Sequence, residues 1–150
     1  MLVYYLQRQA NSSEKLHAFP QGFKMLAGNP FARSFAGTLE SRAITFTCLD
    51  YSNPTPQTNA IPNRNCPQGL RAQINFPSCY NPTTQAVAYP AGVDNGVCPS
   101  GYPVRLISLF YEVTFEFDQF KDEWWAANGT HPFVFSTGDP TGYVSQADCK

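Results

Sequence analysis

CPQGLRAQINFPSC, residues 66–79, is bracketed by two cysteines and alternates strictly between them. Leu70, Ala72, Ile74 and Phe76 fall on one side, and Arg71, Gln73 and Asn75 fall on the other. A period of two is the signature of a β-strand with one face toward a core. The second face carries planar hydrogen-bonding groups instead of the Lys and Glu of an ordinary solvated surface. The same pattern recurs in ITFTCLD (44–50), where Ile44, Phe46 and Cys48 oppose Thr45 and Thr47. In VRLISLFYEVTFEF (104–117), Ile107, Leu109, Tyr111, Val113, Phe115 and Phe117 fill one face, while Glu112, Thr114 and Glu116 line the other beyond Phe110.

Between these runs the chain is rich in Pro, Gly and Asn, as in 51–67 and 80–103, which are loops. LVYYL (2–6) is a short β-rich run, and 18–35 is a packed loop with a strand-like middle. DQFKDEWWAAN (118–128) fits a short helix capped by Asp118, and PFVFSTGDPTGY (132–143) a final strand and turn. No internal repeat or heptad is present. The pattern predicts a single domain with a mainly β fold, an antiparallel sandwich-like sheet with long loops and one short helix.

The 150 residues suffice for one cored domain, with 43% hydrophobic and 15% aromatic residues. Charged residues are 14% and the net charge is -1, which argues against nucleic-acid binding. No stretch is long and apolar enough to span a membrane. Five cysteines, 13 prolines and the sequons at Asn11 and Asn128 point to a secreted, extracellular glycoprotein. The pairs Cys48–Cys66 and Cys79–Cys98 each close one loop between neighbouring strands, whereas other pairings cross the strand at 70–76. Cys149 is then the odd one out. MLVYYLQRQANSSEK lacks a basic n-region, an apolar h-region and a cleavage site. The expectation is therefore a piece of a longer secreted protein, or a product whose true start lies upstream, with a missing N-terminal half or another chain of the same protein as partner.

The segments AFPQGFKMLAGNPFARS, ITFTCLDY, CPQGLRAQINFPSCY, VAYP, CPSGYPVRLISLFYEV and FVFSTGDPTGY resemble, in order, a family of fungal secreted proteins. That family is catalogued only as a domain of unknown function and is often fused to WSC-type carbohydrate-binding modules. The resemblance runs from about residue 18 to 143 and is to the C-terminal part of such a domain. It implies a secreted or cell-surface protein acting at the cell wall or on environmental glycans. The family's P-H-x-H, W-D-G-K-N, D-H-K-S-H and G-x-H-G-D segments have no counterpart here, so a site built on those histidines is absent from this chain.

With only His17 and His131, and no C-x-x-C spacing, no metal site and no cofactor are expected. For catalysis, the surviving candidates are the carboxylates Asp139 and Glu112, since glycosidic hydrolysis uses a carboxyl pair. Glu112 and Glu116, four apart on one strand, stand about 13 Å apart, too far for such a pair. Asp139 equally fits an Asx turn before Pro140, and Arg71 equally fits a cross-strand ion pair with Glu112 or Glu116. A glycan surface would combine Arg71, Gln73 and Asn75 with aromatic platforms from Trp124, Trp125, Tyr143 or Tyr102. The leading expectation is a structural or glycan-associated binding role, with cell-wall polysaccharide as ligand. A carboxylate-based glycan hydrolase and a self-associating extracellular subunit are the alternatives.

Overall fold

A computed structural model describes residues 1–123, 131–143 and 146–149. In chain order the strands are β1 (Leu2–Leu6), β2 (Leu16–His17), β3 (Met25–Gly28), β4 (Ile44–Cys48), β5 (Gln57–Thr58) and β6 (Leu70–Asn75). They continue as β7 (Cys79–Tyr80), β8 (Val87–Ala88), β9 (Val104–Leu106), β10 (Ser108–Phe115) and β11 (Gln146–Cys149). A one-turn helix α1 (Leu39–Arg42) precedes β4, and a 3-10 helix (Phe117–Glu123) follows β10. The fold is mainly β, as the alternating runs predict.

Three sheets share the work. The largest is fully antiparallel, in the order β1-β10-β6-β4-β5. The second, β2-β9-β7-β8, is mixed because β2 runs parallel to β9. The third is the pair β11-β3. The stretch 66–79 explains how the first two are joined. Its strand β6 pairs with β10, and β7 just beyond it pairs with β9. The same two chain segments thus run side by side through both sheets and turn a corner together. Pro77 has no N–H to give to a ladder. Opposite it, Ile107 leaves the ladder and donates its N–H to His17 O (3.1 Å). Bonds from Phe76 N to Leu109 O (3.0 Å) and from Leu106 N to Ser78 O (2.8 Å) hold the corner on both sides.

Residues 104–117 are therefore two strands rather than the continuous one that their alternation suggests. The break puts Arg105 and Leu106 inside the second sheet, where both are buried.

The apolar faces of β4, β6 and β10 build the core: Ile44, Phe46, Cys48, Leu70, Ile74 and Leu109, closed from outside by Met25, Ala27, Ile61 and Phe117. Phe46 is wholly buried, and truncating such a ring to Ala costs about 3–5 kcal/mol. Two disulfides, Cys48–Cys66 and Cys79–Cys98, tie the long loops to the sheets in the expected pairing.

Two local expectations change. Residues 132–135 alternate like a strand, yet no ladder forms there. Phe133 stacks on Phe117 (centroids 3.7 Å) and Phe135 meets Phe46 (6.3 Å), while Val134 is exposed. Alternation reports one-sided burial, and here rings alone satisfy it. The helix after β10 begins at Phe117 and kinks at Phe120. Asp118 accepts from Asn65 Nδ2 (2.8 Å), anchoring the loop before Cys66 instead of acting as an N-cap.

Candidate functional site: the outer face of the five-stranded sheet

Register decides what lies opposite the core. Because Phe46 pairs with Ala72 and Ala72 with Val113, these residues face inward. Their neighbours must face outward. On that outer face stand Tyr4 of β1, Phe110 and Glu112 of β10, Arg71, Gln73 and Asn75 of β6, Thr45 and Thr47 of β4, and Gln57 of β5.

A chain of side-chain hydrogen bonds crosses all five strands. Tyr4 OH donates to Glu112 Oε2 (3.0 Å), and Gln73 Nε2 donates to Glu112 Oε1 (3.1 Å). Gln73 Oε1 in turn accepts from Thr47 Oγ1 (2.9 Å) and Gln57 Nε2 (3.3 Å). Only one orientation of the Gln73 amide serves these partners, with its NH2 toward β10 and its carbonyl toward β4. Gln73 is 6% exposed and Thr47 7%, so these contacts satisfy groups that are costly to bury unpaired. Donation to the carboxylate raises the pKa of the Tyr4 phenol, since losing its proton would set two negative charges side by side.

Arg71 Nε lies 3.3 Å from Glu112 Oε1. The contact is an ion pair without hydrogen-bond alignment. The Arg71 side chain keeps 33% of its surface exposed, and its guanidinium makes no hydrogen bond among the described residues. Beside this cluster, the Tyr4 and Phe110 rings lie 5.8 Å apart at 41°. Polar donors and aromatic surface therefore share one rigid sheet face.

Arg71, Gln73, Asn75 and Glu112 are gathered on this face. Asn75 is also fixed through its backbone, with its N–H donating to Ala43 O (3.0 Å) and its carbonyl accepting from Tyr89 OH (2.9 Å). Tyr143 lies elsewhere, in a separate cavity of about 150 Å³ with Thr38, Ser41 and Asn59. Tyr102 lines an open groove of about 660 Å³ with Tyr89, Pro77 and Pro99. Trp124, Trp125 and Asn128 lie outside the described residues. Asn11 is exposed, and its Oδ1 accepts from Ser13 N (3.0 Å) and Ser13 Oγ (2.6 Å). Cys149 ends β11 opposite Met25.

Asp139 is not brought to Glu112. It is 4% exposed, and its carboxylate accepts from Thr141 N (2.9 Å), Thr141 Oγ1 (2.6 Å) and Gly142 N (2.9 Å). That Asx turn presses Gly142 onto the Phe46 ring, on the core side of the sheet. The two carboxylates thus stand on opposite faces of the sheet, and no acid–base pair of the glycosidase kind forms between them. Among the described residues, no three His, Cys, Asp or Glu side chains gather as a metal would require.

Buried Arg105 works within the second sheet. It donates to Gly96 O (2.9 Å) and Asp94 O (3.1 Å), pinning the loop that the Cys79–Cys98 bridge also holds. Burial lowers its pKa.

The aromatic half of the outer face, Tyr4 and Phe110, escaped the sequence reading. The signal was present: Phe110 interrupts the polar side of β10, an apolar residue where the alternation calls for a polar one. Placing Tyr4 beside it requires the long-range pairing of β1 with β10.

A disulfide-braced, mainly β domain with a hydrogen-bonded outer sheet face is the class that fold and site define. The chain belongs to the family described as Domain of unknown function (DUF1996), which it matches over residues 1–149. The match is wider than the 18–143 over which shared motifs are legible. No curated protein and no solved structure matches the chain.

Proposed function

We propose that this domain is a secreted glycan-binding module that holds a neutral polysaccharide of the cell-wall type on the outer face of its five-stranded sheet. One observation carries the reading. The Tyr4–Phe110 ring pair shares one sheet face with Arg71, which pairs with Glu112 and whose guanidinium makes no hydrogen bond among the described residues, and hydrogen bonds from strand to strand fix that face. Sugar rings present C–H faces that rest on aromatic surface and hydroxyls that take planar donors and acceptors. A prearranged network lowers the ordering cost of binding.

Two disulfides support an oxidising, extracellular setting. No helix among the described residues is long and apolar enough to cross a membrane. Glu112 serves in this reading as an organiser of Tyr4, Arg71 and Gln73.

The test is retention of the chain on insoluble β-1,3-glucan and on chitin, with release of reducing ends followed in parallel. Retention that falls at least tenfold in Tyr4→Ala and Arg71→Ala, persists in Asp139→Asn, and comes without new reducing ends supports binding alone. Reducing ends released by the wild type and abolished in Glu112→Gln would move the assignment to a hydrolase. Retention indifferent to Tyr4→Ala and Arg71→Ala would remove the sheet face from the function.

A further inference from the structure

We propose that β1 is a self-pairing edge: two copies of the chain join β1 to β1 antiparallel, fusing their five-stranded sheets into one of ten strands. The two edges of this sheet differ sharply. At one, β5 is two residues long and flanked by Pro54, Pro56 and Pro62, which cannot extend a ladder. At the other, β1 pairs with β10 on one side, and no described residue pairs with it on the other. It carries no Pro and no charge. Leu2, Val3, Tyr4 and Tyr5 are 60%, 41%, 36% and 66% exposed. A bare apolar edge of this kind is a template for another strand.

The occupant follows from the sequence of β1 itself. LVYYL is nearly palindromic about Tyr4. An antiparallel partner of identical sequence sets Leu2 against Leu6 and Tyr4 against Tyr4 on the outer face. It sets Val3 against Tyr5 on the inner one. Such self-complementarity is what a two-fold interface requires. Cross-strand aromatic and aromatic–β-branched pairs stabilise it further. The strand ends where Leu6 O accepts from Arg8 N (3.0 Å), and Arg8 turns away to Asp94 Oδ2 (3.4 Å). Five residues of pairing bury less than an interface of standard size, so the dimer is weak and concentration-dependent. The pairing rests on the edge of β1 and not on the glycan-binding reading, although Tyr4 stands in both.

The experiment is sedimentation velocity of the chain from the low-micromolar to the millimolar range, without glycan. Two charge variants accompany it, Val3→Lys/Tyr5→Lys and Val3→Glu/Tyr5→Glu, each of which sets like charges opposite one another across the two-fold. The wild type is expected to shift from the mass of one chain to that of two. Each variant alone should stay monomeric with an unchanged far-ultraviolet spectrum, and the two mixed should regain the dimer mass. A wild type that stays monomeric throughout would overturn the proposal. So would a dimer that survives in either charge variant, or a mixture of the two that stays monomeric.

Discussion

Gln73 on β6 and Glu112 on β10 stand directly opposite each other, and the Gln73 amide donates to Glu112 Oε1 at 3.1 Å. Glu112 also accepts from Tyr4 and faces Arg71, so groups from β1 and β6 converge on one carboxylate of β10. Replacing it by Leu keeps the bulk and strands those partners. The expected loss is about 2 kcal/mol of unfolding free energy in urea, the scale for a charged acceptor withdrawn from part-buried donors. Spectrophotometric titration should show one tyrosine ionising at lower pH than in the wild type, because Tyr4 loses the acceptor that holds its proton. Unchanged stability together with an unchanged titration would mean that the network is ornamental.

Gly142 separates packing from backbone strain. A Cβ there would lie 2.7 Å from Phe46 Cζ and 3.0 Å from Ile61 Cγ1, at a φ of +89°. Gly138 in the same turn has a φ of +81° and nothing within 4 Å. Gly138→Ala should cost about 1 kcal/mol, the strain of a left-handed residue. Gly142→Ala adds overpacking and should cost about 2–4 kcal/mol in all. Equal losses at the two sites would contradict the contact with Phe46.

The two bridges should contribute separately. Each closes a loop of similar length, with sequence separations of 18 and 19. Removing Cys79–Cys98 as the double alanine variant should lower stability by about 3 kcal/mol on the loop-entropy account. Peptide mapping without reductant should return Cys48 joined to Cys66 and Cys79 to Cys98. Recovery of a Cys66–Cys79 peptide would break the scheme.

His131 should make the fold sensitive to mild acid. Burial lowers its pKa below the ordinary value of 6.5, which favours the neutral ring in the folded state. The unfolded chain then takes up its proton first as pH falls. The His131 contribution is therefore complete above about pH 6.5 and is lost as pH falls from there through the lower folded value. The melting temperature should drop between pH 7.5 and pH 5, and His131→Gln should reduce that drop. A larger drop in the variant would reverse the sign.

Strand positions were legible because Leu70, Ala72 and Ile74 against Arg71, Gln73 and Asn75 leave no other period to choose. The disulfide pairing was legible because each bridge spans one loop. What escaped is whatever depends on partners distant in sequence. The corner at Pro77 and Ile107 is set by how β2 and β7 meet β9, which no local pattern in 104–117 records. Phe133 and Phe135 alternate like strand residues because their rings turn inward onto Phe117 and Phe46 while Val134 stays exposed, and burial and pairing leave the same trace. Tyr4 reads as one aromatic among five β-formers until β10 is set beside it. Asp139 allowed both a turn and a catalytic reading, and its bonds from Thr141 and Gly142 decide its conformation.

Amide chemical-shift mapping reads the outer face of the five-stranded sheet most directly. Labelled protein would be titrated with short β-1,3-gluco-oligosaccharides and, separately, chito-oligosaccharides. Saturable shifts are expected at Tyr4, Arg71, Gln73, Phe110 and Glu112, with Tyr89 and Tyr102 in the groove unmoved. Shifts centred on Tyr89 and Tyr102, or no saturable shift with either sugar, would contradict the assignment of the sheet face.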